Sequence, residues 1–273
     1  MKKIVFLFLS IIWLAFFIEL PAQSHYRLAK ERRTGKKEIV VATWNIGHYA
    51  NGSKPYSLIE SRQIKDKRKA FRTMIYDSLS ADLIGVNEFS PVFGKDERGN
   101  EVLSSNALFN RYRFKKQGTQ SWISNSIYSN YKFENVEKSY FNCSKSFKPK
   151  DPRASLFYYL SADASFHGVK VKIVLVHLIS RQPKLCQLQI EELIAKYKTC
   201  DKIIMFGDWN TWNWSEFKKA GYSLANNGSL ITFPSKSYAL DNVIVKGLEI
   251  TDVKVVKTDL SDHYPLVCRI SVK

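Results

Sequence analysis

The order of apolar and polar positions divides the chain into many short strands and two helices. Alternating or continuous apolar runs, rich in β-branched and aromatic residues, predict strands over 38–46, 83–86, 121–129, 155–162, 169–177, 202–206, 240–245, 253–257 and 265–272. Two stretches repeat every three to four residues instead. The first, 57–80, carries Ile64, Phe71, Ile75 and Leu79 on one stripe, with Lys and Arg on the other. The second, 183–197, carries Leu185, Leu188, Leu193, Ile194 and Tyr197. Residues 90–120 are rich in Gly, Asn, Lys and Ser and read as a long surface loop with a short helix. So many strands with so few helices exclude a simple doubly wound sheet. Two packed sheets with helices outside fit better.

The start of the chain has a different pattern. Lys2 and Lys3 precede an uncharged run from Ile4 to Ile18, and Glu19, Pro21 and Ala22 then lead to Gln23 and Ser24. This is the shape of a secretory signal, so residues 1–23 are expected to direct the protein out of the cell or into a periplasm. An uncleaved membrane anchor is the alternative, because Arg27, Lys30, Arg32, Arg33, Lys36 and Lys37 all follow the apolar run. Residues 24–37 read as a basic linker and 38–273 as one domain.

Composition narrows the function classes. With 273 residues, 45% hydrophobic and 14% aromatic, the chain can bury a large core, which excludes a disordered tail or a fibrous repeat. The net charge of +17 becomes +16 if residues 1–23 are removed, and either value favours a polyanionic partner. Basic runs at 62–72 and 111–116 are suited to tracking a phosphate backbone, although solvated helix or loop faces carry such runs too. The four cysteines, Cys143, Cys186, Cys200 and Cys268, form no CxxC pair. Cys186 and Cys200 bracket the second helix, about 20 Å apart along its axis, whereas a disulfide needs less than about 7 Å between Cα atoms. All four read as structural thiols.

The candidate chemistry lies where strands end. Asn45 follows VVATW, Glu88 follows LIGVN, His177 follows KIVLV, and Asp208 and Asn210 follow KIIMFG. Asp241 opens a strand, and Ser261, Asp262 and His263 precede the last one. Converging strand ends are where α/β folds bind ligands. Each position alone has an ordinary explanation: Asp-Trp-Asn suits a turn, and a lone His is commonly structural. Together they supply hard oxygens, which suit Mg²⁺, Mn²⁺ or Ca²⁺ and not a zinc cage. No G-x-S-x-G nucleophile motif occurs.

In this order the stretches TWNIG (43–47), LIGVNE (83–88), SNSIYS (124–129), PRASLFYY (152–159), VLVHL (174–178), MFGDWN (205–210), ALDNVIV (239–245) and LSDHYPL (260–266) resemble the endonuclease/exonuclease/phosphatase superfamily, the DNase I-like fold. The resemblance spans residues 38 to 272. It implies a four-layer α/β sandwich, with two packed mixed sheets flanked by helices. It implies metal binding by Glu88, Asp262 and Asn45, and a water-orienting, phosphate-holding pair in Asp208 and Asn210. His263 matches the catalytic histidine, Asp241 the acid that orients it, His177 a phosphate-contacting or general-acid histidine, and Arg153 a phosphate-binding arginine. Asn242 departs from the family pattern, which has an aromatic residue or His there. No tyrosine is plainly placed to match that of the abasic-site endonucleases, so abasic-site specificity is not implied.

The resemblance implies a Mg²⁺- or Mn²⁺-dependent phosphodiesterase that uses activated water. A secreted, monomeric nuclease on DNA or RNA is the leading expectation, with no protein partner evident. A phospholipid hydrolase (sphingomyelin or inositol lipid) or small-phosphoester hydrolase is the alternative, and a catalytically silent binding protein is a second. Trp209, Trp212 and Trp214 bear on the choice. Exposed, they would stack on bases or enter a lipid interface; buried, they would only pack.

Overall fold

The computed structural model describes residues 37–47, 70–89, 101–104, 113–116, 119–122, 124–147, 154 and 157–273. The apolar run at 4–18, the linker up to residue 36 and Arg153 lie outside these residues.

Strands with apolar residues at every position need cover on both faces. In β1 (Glu38–Asn45), Ile39 and Val41 enter one apolar cluster while Val40, Ala42 and Trp44 enter another. In β10 (Ile203–Asp208), Ile204 and Phe206 face one side, Ile203 and Met205 the other. The period of two thus assigns each strand to two cores at once. Among the described residues there are three such clusters, which together separate four layers. One fills the space between two sheets, and the other two lie on the sheets' outer faces.

The first sheet runs β13 (Glu249–Val255), β14 (Leu266–Ser271), β1, β2 (Leu83–Phe89), β6 (Ser124–Ser129), β3 (Glu101–Ser104). The second runs β11 (Ser223–Leu224), β12 (Asp241–Lys246), β10, β9 (Val169–His177), β8 (Tyr158–Phe166), β7 (Phe133–Tyr140). Both are mixed: β1 and β2 are parallel, as are β9 and β10, and the other described pairings are antiparallel.

Parallel neighbours require a crossover, and in each sheet a helix belongs to it. Before β2, a helical stretch over 70–78, closing in a wide π turn (Met74–Ser78), lays Phe71, Ile75, Tyr76 and Leu79 on the first sheet. Between β9 and β10, the helix Pro183–Lys196 buries Leu185, Cys186, Ile190 and Leu193 on the second. Pro183 suits the first helical turn, where its missing N–H has no intrahelical acceptor. The two sheets approach closely at Gly85, where a Cβ would stand 2.3 Å from the Phe206 ring.

The structure departs from the sequence expectation in several places, and the single strand expected over 121–129 is divided between two strands, 119–122 and 124–129, that lie in different sheets. Within 90–120, residues 101–104 form edge strand β3, and β4 (Arg113–Lys116) pairs with β5 (Thr119–Trp122) as a separate hairpin. Strand β7 is absent from the sequence expectation, because FENVEKSY is polar and largely exposed. Its strand state comes from pairing with β8 at the sheet edge. Leu188, expected on the buried stripe of the second helix, is exposed. The four cysteines are free thiols, and burial pushes Cys186 up to about 12, with the Asp208 carboxylate adding to the shift.

Candidate active site

Between the sheets, each central strand is apolar along its length and turns polar at one end. Along this face β1 reads Ile39, Val41, Thr43, Asn45, and β2 reads Leu83, Gly85, Asn87. β9 reads Ile173, Leu175, His177, and β10 reads Ile204, Phe206, Asp208. β12 runs the other way, with Asp241 first and Val243 and Val245 after it. Register brings the polar ends together: Asn45 pairs with Asn87, and Asp208 pairs with both His177 and Asp241.

Two residues reach the site by leaving regular geometry. Alternation alone would turn Glu88 outward, with Ile84 and Val86. A register shift between Val86 and Phe89, together with a positive φ of 54° at Glu88, re-aims it. Its Oε1 accepts from Asn45 Nδ2 at 3.3 Å. Asn210 also has positive φ, 49°; its backbone N–H donates to Asp208 Oδ1 and its Nδ2 to the carbonyl of Leu178. Just before them, Gly207 has φ 141°, and a Cβ there would lie 2.0 Å from the Val176 carbonyl oxygen. Only glycine fits that approach.

Asp208 is the hub. Its Oδ2 accepts from Asn45 Nδ2 at 3.0 Å and lies 3.7 Å from His177 Nε2 and 3.9 Å from His263 Nε2. His177 Nε2 is also 3.9 Å from Glu88 Oε1. His263 is nearly buried, with Nδ1 2.8 Å from Asp241 Oδ2, so the carboxylate fixes Nδ1 as the protonated nitrogen and leaves Nε2 facing Asp208. Trp44 Nε1 donates to the His263 carbonyl, the His263 N–H donates to Ser261 Oγ, and Phe233 lies 4.8 Å from the imidazole. Burial disfavours the imidazolium. Attraction and hydrogen bonding to Asp241, with Asp208 and Asp262 adding, outweigh burial and raise His263 to about 10. Burial also pushes the Asp241 carboxyl above its ordinary range, against the pull of His263. Asp262 is exposed beside His263, with Oδ1 3.3 Å from Ser261 Oγ.

No family model and no curated protein matches this sequence. Solved structures do match in shape. The human Nocturnin catalytic domain with bound sulfate superposes with a TM-score of 0.64 at 14% identity, over 86% of this chain and 95% of that one. TDP2 from D. rerio, complexed with a single-strand DNA product, gives 0.63 at 14%, over 86% and 99%. An endonuclease/exonuclease/phosphatase from Beutenbergia cavernae gives 0.63 at 14%, over 86% and 72%. The chain has the DNase I-like fold.

Within the DNase I-like fold, Asn45, Glu88, His177, Asp208, Asp241 and His263 form one contiguous cluster, with Asn210 and Asp262 at its margin. Arg153 lies outside the described residues. Sequence reasoning assigned no role to three supporting residues. Asn87, fully buried, donates through Nδ2 to Asn125 Oδ1 and the Val176 carbonyl, and its Oδ1 accepts the Asp208 N–H at 2.9 Å. Ser261 Oγ donates to the Asn45 carbonyl at 2.7 Å, tying the His263 loop to β1. Thr232 Oγ1 accepts the N–H groups of Leu240 and Asp241. Asn87 was readable, since it continues the inward set Leu83 and Gly85. Thr232 sits in a loop with no such period.

The donor set fits a hard divalent ion. Glu88 is 22% exposed and can share an oxygen with solvent, and the Asp208 carboxylate is bonded to the same Asn45 amide. The Asn45 oxygen accepts from the Gly47 N–H, so its nitrogen side faces the two carboxylates. Among the described residues no three or more His, Cys, Asp or Glu are grouped to hold an ion. Mg²⁺ is ordinarily held by one or two carboxylates, its own waters and substrate phosphate, so this arrangement suits it.

Proposed function

We propose that this protein is a divalent-metal-dependent phosphodiesterase that uses activated water, acts on nucleic acid, and is exported by residues 1–23. The observation that carries the proposal is Asp208 Oδ2 within 4 Å of two imidazole nitrogens and one amide nitrogen drawn from both sheets. A phosphodiester is an anion, and the charge that develops on it needs donors already aimed at it. His263 Nε2 and His177 Nε2 are such donors, while the Asn45 amide uses both of its N–H groups to hold Glu88 and Asp208. Asp208, buried among them, accepts the proton of the attacking water. The water oxygen bonds to phosphorus, the ester P–O bond breaks, and the imidazolium form of His177 gives its Nε2 proton to the departing oxygen; the proton taken up by Asp208, 3.7 Å away, then restores His177. Asp241 takes the Nδ1–H and holds the His263 ring in one orientation, so that the imidazolium presents Nε2–H to the site. When bound, a divalent ion held by Glu88 and Asp262 would offset charge on the phosphoryl oxygens, and Asn45 would align Glu88 for it.

Nucleic acid is favoured by the net charge of +17 and by the single-strand DNA product held by the D. rerio TDP2 neighbour. Export is favoured by the uncharged run from Ile4 to Ile18. The test is a substrate panel of plasmid DNA, RNA, sphingomyelin, inositol phosphates and bis-p-nitrophenyl phosphate, with Mg²⁺, Mn²⁺ or Ca²⁺. Nucleic acid is expected to be cleaved with Mg²⁺ or Mn²⁺ and spared in EDTA. Full turnover in chelator would refute the mechanism, and turnover of lipid alone would refute the substrate class. For export, N-terminal sequencing of the secreted protein should begin near Ser24.

A further inference from the structure

Three tryptophans follow Gly207, and they do not behave alike. Trp209 and Trp214 are buried, and Trp209 packs on Trp214 and Phe217 in the outer core of the second sheet. Trp212 is 64% exposed. Its ring lies 5.0 Å from that of Tyr238, tilted by 38°, and Tyr238 is itself 39% exposed. The tyrosine is held from behind: its carbonyl accepts the N–H groups of Thr232 and Phe233, and its own N–H donates to the Phe233 carbonyl. That same turn puts Phe233 on His263 and Thr232 under Asp241. Trp212 follows Asn210 by two positions and Tyr238 precedes Asp241 by three. At about 3.5 Å per residue, the two Cα atoms lie within roughly 7 and 10 Å of those site residues.

We propose that Trp212 and Tyr238 form a stacking platform for an unpaired nucleobase beside the scissile phosphodiester, and so select single-stranded nucleic acid. The proposal rests on the phosphodiesterase reading above. Two flat rings at the rim of an anion-handling site meet what a nucleotide offers, a charged phosphate with a planar π-face one sugar away. Stacking tolerates any base, because every base has such a face. In a duplex that face is covered by its neighbours. Exposed Lys236, two positions before Tyr238, adds positive charge for the strand and nothing for a neutral lipid surface.

The experiment measures equilibrium binding, in EDTA to prevent cleavage, of a fluorescein-labelled oligothymidylate and of an equally long strand of abasic tetrahydrofuran residues. Wild-type protein should prefer the base-bearing strand by about 5- to 150-fold. W212A and Y238A should bring that ratio close to one, and W212F and Y238F should keep most of it. An unchanged ratio in W212A and Y238A, with nucleic acid still cleaved in the Mg²⁺ assay, overturns the platform and leaves the phosphodiesterase reading standing. No binding of either strand and no cleavage of any nucleic acid overturns both. Sphingomyelin–phosphatidylcholine vesicles are the third arm: binding that is lost in W212A makes the pair a lipid anchor and overturns the proposal.

Discussion

Asn87 offers the sharpest test of how the two sheets support the site. Its side chain is fully buried and all three of its bonds are short: 3.0 Å to Asn125 Oδ1, 2.9 Å to the Val176 carbonyl and 2.9 Å from the Asp208 N–H. Two of them cross from the first sheet to the second. Asn87→Leu preserves the approximate volume and removes every bond, leaving three buried polar groups without this partner. At about 1–3 kcal/mol for each buried group left unsatisfied, the Asp208 N–H and the Val176 carbonyl together should put the loss at ~2 kcal/mol or more. For a domain of this size that lowers Tm by about 4–8 °C. Turnover measured well below the new Tm should also fall, because the Asp208 backbone loses the bond that fixes its position. Asn87→Asp should do less harm to Asp208, since it keeps an acceptor for that N–H, while still losing the donor to Val176. The assays are thermal and urea unfolding and phosphodiester turnover on the same preparations. An Asn87→Leu variant that melts within about 2 °C of wild type, a shift worth less than ~1 kcal/mol, and stays fully active would refute the reasoning.

Three further outcomes follow from the same geometry. Glu88→Ala, Asp208→Ala and His263→Ala should each cut turnover by at least ~10²-fold, and combinations should fall far short of the product, because the proposed mechanism has all three act on one phosphoryl centre. Single-turnover kinetics check this, and near-normal turnover in His263→Ala would contradict the role of that imidazole. His263 is raised from 6.5 to about 10, so its stabilising contribution is complete below about pH 6.5 and is lost as pH rises through about 10. The Tm of wild type should therefore fall more steeply across that window than that of the D241N/H263Q double variant. Mg²⁺ should raise Tm through Glu88. With a site of ~1 mM affinity, ~10 mM ion stabilises by about 1.4 kcal/mol, or roughly 3–6 °C, and Glu88→Gln should lose this rise while keeping its fold.

Legibility in the sequence depended on regular spacing. β1, β9 and β10 were readable because their faces alternate between two apolar clusters, which forces strand geometry and cover on both sides. The polar ends of the same strands were readable for the same reason: Asn45, His177 and Asp208 continue an inward-facing set. The edges were not. FENVEKSY has no apolar face, and it becomes β7 because β8 offers it a ladder. Residues 101–104 likewise become β3 through β6. Pairing is a long-range property, and a local window of sequence does not contain it.

The site itself departs from the rule that revealed it. Strict alternation turns Glu88 toward the outer face, away from Asp208, and a carboxylate there would sit among the apolar residues covered by the 70–78 helix. A bulge and a left-handed residue bring it inward, and Asn210 uses the same conformation to fold back under Leu178. Non-glycine residues hold positive φ at a cost of order 1–3 kcal/mol each, so such conformations persist where surrounding contacts over-determine them. Those contacts are on hand: the Asn45 amide bonds both Glu88 and Asp208, the Asp208 side chain bonds the Asn210 N–H, and Asn87 holds Asp208 from the opposite sheet. The strain is therefore concentrated at the residues expected to meet the ion and the phosphate. The surrounding amides and backbone groups do the holding, which is why a search for carboxylates and histidines alone finds the reacting groups and overlooks Asn87, Ser261 and Thr232.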